Sequence, residues 1–373
     1  MEQLRPLGLY LHIPFCKSKC AYCDFYSLAR SEEKMDAYCA ALRHELSAMS
    51  AAANAYRVDT VYFGGGTPSY LGARRLVSLL EAVKAHYKVA DDAEITFEAN
   101  PDSARDMTAL RELRKAGFNR ISLGAQSFDD SELLAIGRVH TAAEIARAVS
   151  EARAAGFDNL SLDMIYGLPR QTMARWRDNL AAAVALNPEH LSCYGLKVEE
   201  GTPLYLRRES VSLPDDDAQA DFYLETVHFL REHGYAQYEI SNFSKPGYES
   251  RHNLKYWTLG EYLGFGPGAH SDFAGRRFAA ARDLNAYLDG KRIFSEDAAV
   301  SPRERQEEYL MLGLRTVSGV CACEAAPSFA AAESVLRECE AHGLAEQSGG
   351  HWHLTPQGFL VSNSIIRRVL DAM

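Results

Sequence analysis

Apolar and polar positions follow two different periods along the first 200 residues. Short runs rich in Val, Ile, Leu, Tyr and Phe cover residues 8–13, 60–63, 94–98, 120–123, 159–165 and 190–196, the composition and length of buried strands. Between them, residues 35–49, 74–87, 104–116, 142–155 and 174–186 place apolar side chains three and four apart, which makes one face of a helix. Gly117 and Gly156 directly follow two of these stretches, where a left-handed residue ends a helical turn. Strands alternating with helices on this scale predict right-handed crossovers and a parallel sheet. Six strands are too few to close an eight-stranded barrel. The expected fold is therefore α/β, an incomplete (β/α)6 TIM-like barrel. Residues 1–200 are read as its core, 201–300 as an extension, and 301–373 as a smaller, mostly helical module resembling a winged helix.

In strand–helix barrels the chemistry gathers at the C-terminal ends of the strands. Here those ends read His12-Ile13-Pro14, Gly64-Gly65-Gly66-Thr67-Pro68, Glu98-Ala99-Asn100-Pro101, Gly124-Ala125-Gln126-Ser127, Asp163-Met164-Ile165-Tyr166-Gly167 and Lys197-Val198-Glu199. Each offers a glycine, a polar group or an ionisable group to a common mouth. Beyond residue 200, Asp215-Asp216-Asp217 reads as a helix N-terminus with acids set against the dipole. A strand is expected near 238–240 and another at 352–354. The cluster Gly264-Phe265-Gly266-Pro267-Gly268 lacks a following helix pattern, so it is not a phosphate loop.

The chain of 373 residues is 47% apolar and 24% charged, an ordinary soluble composition. Fifty acids against 40 bases give a net charge of −10, so no basic field gathers nucleic acid or anionic lipid. No basic stripe marks the C-terminal module as a DNA reader. No apolar run approaches the roughly 20 residues of a membrane helix, and the N-terminus shows no cleavage site. The expectation is a cytoplasmic protein with no nucleic-acid partner and no integral membrane segment.

Cysteine usage changes the picture. Eight cysteines stand at 16, 20, 23, 39, 193, 321, 323 and 339, and in a reducing compartment they should be thiols or metal ligands. Cys39 and Cys193 lie on apolar faces and read as buried thiols. Cys321, Cys323 and Cys339, and the alternating His351-Trp352-His353, are taken as structural. Cys16-Lys17-Ser18-Lys19-Cys20-Ala21-Tyr22-Cys23 is different: C-x3-C-x2-C lets one loop wrap an inorganic cluster with soft thiolate ligands. Three thiolates without a clear fourth ligand suggest a four-iron cluster with one iron open. A zinc site completed by His12 or Cys39, or three unligated thiols, are the other readings.

This loop, set after the first strand and followed by Gly64-Gly65-Gly66-Thr67-Pro68 after the second, resembles the radical S-adenosylmethionine superfamily. Leu9-Tyr10-Leu11-His12-Ile13-Pro14-Phe15-Cys16, Gly124-Ala125-Gln126-Ser127-Phe128, Asp163-Met164-Ile165-Tyr166-Gly167-Leu168-Pro169 and His252-Asn253-Leu254-Lys255-Tyr256-Trp257 narrow the likeness to the oxygen-independent coproporphyrinogen III oxidase-like family. The resemblance implies that Cys16, Cys20 and Cys23 hold three irons of a 4Fe-4S cluster. S-adenosylmethionine would chelate the fourth iron and be cleaved to methionine and a 5′-deoxyadenosyl radical. Gly65, Gly66 and Thr67 match a contact to its methionine part, and Tyr22 a contact to adenine. Tyr10, Glu98, Gln126, Arg138, Asp163 and Lys197 match positions lining the cofactor sites. Glu98 can accept ribose hydroxyls and Arg138 can pair with a carboxylate.

Two features choose among branches of that family. The decarboxylating oxidase carries a further cysteine two residues beyond the third ligand, where this chain has Phe25, and a longer arm before the loop, where this sequence has 15 residues. The His252 motif matches the heme chaperone branch. That resemblance implies heme as a further ligand, with His252, Tyr256 and Trp257 as candidate heme contacts, and a heme-acceptor apoprotein as partner, respiratory proteins among the candidates. Lys245, Arg251 and Lys255 are near enough in sequence to pair with propionates. The plainer reading is that His252 and Asn253 satisfy a buried turn and Trp257 is core. Coproporphyrinogen III oxidation and heme-directed radical methyl transfer are the enzyme alternatives.

Overall fold

The computed structural model describes residues 4–321 and 329–373. Six parallel strands, β1 (Arg5–Ile13), β2 (Tyr56–Gly65), β3 (Val89–Ala99), β4 (Arg120–Gln126), β5 (Leu160–Tyr166) and β6 (His190–Gly195), pair in chain order. The crossovers between them carry α1 (Met35–Met49), α2 (Ala73–His86), α3 (Met107–Ala116), α4 (Ala142–Ala154) and α5 (Met173–Ala185). Several expected boundaries move by a few residues for identifiable reasons. Strand β2 begins four residues early because, although Arg57 and Asp59 break the apolar run, the pairing to β1 resumes past a register shift at Asp59 and runs back to Tyr56. Helix α3 starts three residues late because the Asp106 carboxylate accepts the Thr108 and Ala109 amides and sets the cap there.

Beyond residue 200, the chain extends this sheet at both ends. A long helix α6 (Asp216–Glu232), capped by Asp215 as the acidic run suggested, leads to β7 (Ala236–Glu239) and β8 (Asn242–Ser244), with β8 antiparallel beside β6. A short helix α7 (Arg251–Trp257) then precedes β9 (Tyr262–Phe265), which lies parallel to β1 on its free side. The sheet ends in the antiparallel run β10 (His270–Phe273), β11 (Arg276–Ala280) and β12 (Phe294–Ala299). The order is β12-β11-β10-β9-β1-β2-β3-β4-β5-β6-β8-β7, so the barrel stays open. The parallel run thus has a seventh strand, β9, at the glycine-rich segment for which no strand was expected. A Cβ on Gly264 would lie 2.1 Å from the His270 carbonyl oxygen, so the close β9–β10 crossing requires glycine there.

Strand alternation has an unusual sense. In β1, Leu7, Leu9, Leu11 and Ile13 are buried in the apolar core that the surrounding helices share, as are Val61 and Phe63 of β2, Ile121 and Leu123 of β4, and Leu160 and Leu162 of β5. The alternate positions, Tyr62, Glu98, Arg120, Ser122, Asp163 and Ser192, line an internal cavity. The interior is polar where closed strand–helix barrels pack branched aliphatics. Stability comes from the outer shell, which leaves the inside available for binding.

The last segment packs α8 (Pro302–Gly313), α9 (Phe329–Ala341) and α10 (Ser362–Asp371) with a three-stranded antiparallel sheet of β13 (Val320–Cys321), β14 (Ala345–Ser348) and β15 (His351–Leu354), in the order β13-β15-β14. The expected strand at 352–354 is one of these. Trp352 is fully buried. Cys321 is disulfide-bonded, against the expectation that every cysteine is a thiol or a metal ligand. Cys323 lies outside the described residues, whereas Cys39, Cys193 and Cys339 are buried free thiols. Among the described residues no helix is long and apolar enough to cross a membrane.

Candidate functional site at the barrel mouth

The cysteine loop leaves β1 at the mouth and is tied on three sides. The Leu28 amide donates to the Pro14 carbonyl at 2.8 Å, the Ala21 amide to Ile136 at 3.0 Å, and the Leu204 amide to Ala21 at 2.8 Å. Facing it, the Gly66 amide donates to Ile13 and the Thr67 amide to Phe15, both at 2.8 Å. A Cβ on Gly66 would meet the Phe15 and Ile13 carbonyl oxygens at 2.7 and 2.8 Å, so this approach exists only because the side chain is missing. Gly65 has φ +108°, and a Cβ there would enter the His12 ring at 2.5 Å.

Below this rim is a cavity of about 370 Å³. Cys16, Cys20, Cys23, Tyr22, Gly65, Gly66, Thr67, Glu98, Gln126, Arg138, Asp163 and Lys197 all line it. The Thr67 hydroxyl donates to Cys16 Sγ and Arg138 to Cys20 Sγ, each at 3.4 Å. Arg138 also donates to Asn100 Oδ1 at 2.6 Å and the Gly124 carbonyl at 2.7 Å, which leaves its Nε unpartnered. Burial pushes the Cys16 thiol up and the Cys23 thiol up to about 11, so a metal must displace protons to bind here.

Glu98 accepts the Tyr62 hydroxyl at 2.8 Å and the Gly65 amide at 3.1 Å. Each oxygen keeps a lone pair for a further donor. Burial, with Asp163 nearby, raises its carboxyl to about 7. Asp163 accepts the Ser122 hydroxyl at 3.1 Å and is raised by burial too. A ligand that donates hydroxyls to Glu98 selects the ionised form. S-adenosylmethionine is therefore expected to bind more weakly as the pH falls below about 7, by up to about tenfold per unit. Glu98→Gln should flatten that profile. An unchanged slope in the variant, by calorimetry across pH, would remove Glu98 from the contact.

Four of the expected residues lie elsewhere. Tyr10 sits behind the wall, with its hydroxyl 3.0 Å from His12 Nδ1 and its ring stacked on Tyr62. His252, Tyr256 and Trp257 belong to α7, which closes the opposite end of the barrel. Glu94 accepts the Arg251 and His252 amides there, both at 3.0 Å. His252 is 1% exposed. Its Nδ1 pairs with Thr60 Oγ1 at 2.8 Å and its Nε2 with the Tyr256 hydroxyl at 2.9 Å, so neither nitrogen is free for iron. The cations suggested for propionates are also engaged: Lys245 with Asn187 at 2.8 Å, Arg251 with the Asp92 carbonyl at 2.7 Å, and Lys255 with Asp59 at 2.8 Å. Asn253 alone of the motif reaches the cavity. Of the plainer reading only His252 fits: the segment is a helix and not a turn, and Trp257 is half-buried outside the core.

The donor set tests which metal fits. His12 is committed at both nitrogens, to Tyr10 and to the Tyr26 carbonyl, and Cys39 is buried on α1 away from the cavity. Neither can complete a zinc tetrahedron. Three thiolates spread around a mouth, with hydrogen-bond donors aimed at two of them, fit a larger iron–sulfur cluster.

Sequence reasoning missed Tyr62, Arg120, Ser122, Ser192 and Tyr194, all of which line the cavity. The signal for most of them was present as alternation: Arg120-Ile121-Ser122-Leu123-Gly124 and His190-Leu191-Ser192-Cys193-Tyr194.

A partial barrel with three cysteines at its mouth, glycines packed against them and a polar interior defines a radical S-adenosylmethionine protein. The Radical SAM superfamily profile matches residues 10–183, and that of the HemN C-terminal domain matches residues 300–361. The chain is 37% identical to the heme chaperone HemW of Escherichia coli K12, covering 99% of this chain and 100% of that one. It is 36% identical to the heme chaperone HemW of Bacillus subtilis 168, over 98% and 99% of the two chains. The solved structure of coproporphyrinogen III oxidase (HemN) from Escherichia coli shares the fold, with a TM-score of 0.84 at 24% identity over 99% of this chain and 90% of that one. The chain belongs to the HemW family of the radical S-adenosylmethionine superfamily.

Proposed function

We propose that this protein is a heme chaperone: it binds heme and hands it to an acceptor apoprotein in the cytoplasm, respiratory heme proteins being the candidate acceptors. The observation that carries this reading is the match to heme chaperones along the whole chain, C-terminal module included. At the mouth, Cys16, Cys20 and Cys23 would hold the 4Fe-4S cluster. The Thr67 and Arg138 donors would stabilise charge on two of the sulfurs. Gly65 and Gly66 leave room for the methionine part of S-adenosylmethionine, Tyr22 offers a face for adenine, Glu98 and Asp163 accept hydroxyls, and Arg138 holds a carboxylate. When bound, the cluster supplies single electrons and the cofactor a sulfonium that one electron can cleave.

The rim supports a flat, carboxylate-bearing guest. Phe25 is 63% exposed and Tyr194 41% exposed, and both lie on the cavity wall with Lys19 and Lys197. An exposed phenyl at position 25, where the decarboxylating oxidase has a thiol, gives no support to the enzyme reading. No anaerobic turnover of coproporphyrinogen III is expected. The test is a heme titration of cluster-reconstituted protein under anaerobic conditions. A saturable Soret change, weakened in the Phe25→Ala/Tyr194→Ala double variant, is the expected result. A flat titration in the wild type would sink the chaperone reading.

A further inference from the structure

We propose that the floor of the barrel cavity is a binding site for a carboxylate group of a second ligand, received by Arg120 together with Asn253. Four cations line the cavity: Lys19, Arg120, Arg138 and Lys197. Three have partners. Lys19 donates to the Phe25 carbonyl at 3.4 Å, Lys197 pairs with Glu199 at 3.4 Å, and Arg138, although its Nε is also unpartnered, is held through its other nitrogens by Cys20, Asn100 and Gly124. Arg120 is 1% exposed, its Nε is unpartnered, and its guanidinium makes no hydrogen bond or ion pair with any described residue. The side-chain amide of Asn253, across the floor on α7, is likewise without a partner among the described residues, while its backbone N–H donates to the Ser250 hydroxyl.

A buried unpaired charge is costly, and the cost is recovered only when a counter-charge with matching donors arrives. The chain's own cavity acids do not serve. Glu98 is bonded to Tyr62 and Gly65 and Asp163 to Ser122. Burial raises both carboxyls and the Arg120 charge lowers them from a distance, but neither forms an ion pair with it. A planar guanidinium presents two parallel donors, the geometry of a carboxylate. A dianion such as phosphate would face Glu98 and Asp163 in the same enclosed space, so one negative charge is the better match. Register supports the depth. Arg120 lies four residues below Gly124 on β4, about 13 Å at the rise of a strand, well beneath the cysteines. The ligand therefore reaches past the S-adenosylmethionine site with a slender arm. Two sources share that chemistry, a free short-chain acid and a propionate of a porphyrin. Only the second rests on the heme reading.

The experiment uses cluster-reconstituted protein saturated with S-adenosylmethionine, following the unfolding midpoint against sodium propanoate at constant ionic strength. Propanoate should stabilise the wild type saturably, while propanamide and chloride should not. In Arg120→Met the apparent affinity should fall at least about tenfold, the loss of one charge-assisted fork. Arg120→Lys should fall between, and Asn253→Ala serves should the methionine variant fail to fold. Equal effects of propanoate and propanamide, or an unchanged response in both Arg120→Met and Asn253→Ala, would overturn the proposal. So would a wild type indifferent to propanoate whose Arg120→Met variant loses S-adenosylmethionine, because Arg120 would then be only a counter-charge for Glu98 and Asp163. Heme against its dimethyl ester identifies the source: tighter binding of heme than ester, lost in Arg120→Met, points to the porphyrin arm. Equal binding of the two, with propanoate still stabilising, points to the free acid and leaves the site standing.

Discussion

Gly66→Ala is expected to strip the protein of most of its iron while leaving its secondary structure in place. The added Cβ would sit 2.7, 2.8 and 2.9 Å from Phe15 O, Ile13 O and Phe15 N. These are backbone atoms of the segment that delivers Cys16, so no side-chain rotation relieves the contact. To make room, the glycine loop must part from that segment and give up the Gly66–Ile13 and Thr67–Phe15 hydrogen bonds. Overpacking of this kind costs about 1–3 kcal/mol. The outer apolar shell can tolerate that, but the cysteines move with the segment. The measurement is iron content per chain and the visible cluster absorbance after reconstitution, with far-ultraviolet circular dichroism as the folding check. Full iron loading in Gly66→Ala would show that the loop adapts and that this packing is dispensable.

The second large effect falls on stability. His252→Ala is expected to lower the unfolding free energy by about 2–4 kcal/mol, combining two lost hydrogen bonds with a cavity. The heme Soret band of the variant should keep its position. The ring is stacked on Tyr62 at 5.2 Å and bonded at both nitrogens, and burial lowers its pKa from 6.5 to about 3. The neutral form is therefore the one the fold holds. Between those pH values the unfolded chain binds the extra proton, so the His252 contribution is complete above about 6.5 and is lost as pH falls toward 3. His252→Phe keeps the bulk and should lose that part of the acid sensitivity. A shifted Soret band with an unchanged unfolding midpoint would return His252 to iron and require α7 to leave the floor.

How far the site could be read from the chain depended on where each residue falls along its strand. The cysteine loop, Gly65, Gly66, Glu98, Gln126 and Asp163 follow or end strands, and the rule that parallel barrels work at those ends was enough to gather them; Arg138, beyond a helix that follows β4, came only from the family resemblance. Tyr10 and His252 escaped that logic. Tyr10 shares its strand face with His12, and the wall it joins is fixed by stacking on Tyr62. His252 is set by a helix arriving from the far end of the sequence to rest on Glu94. The seventh strand was hidden for a similar reason. Tyr262-Leu263-Gly264-Phe265 is too short to stand out locally, and its identity comes from the pairing with β1. Arg120 was legible in principle, since a charged residue alternating with Ile121 and Leu123 can only face the interior of a sheet whose other side is under helices.

The position of β1 has a consequence for how the protein is made. The strand is flanked by β2 on one side and by β9 on the other, and the cysteine loop begins where β1 ends. Ribosomes add about 5–20 residues per second. On the order of tens of seconds therefore separate the emergence of Cys16, Cys20 and Cys23 from that of Tyr262–Phe265, which covers the second edge of β1. During that interval the nascent chain carries its three thiols beside an unfinished sheet edge, open to iron–sulfur delivery and to oxidants alike.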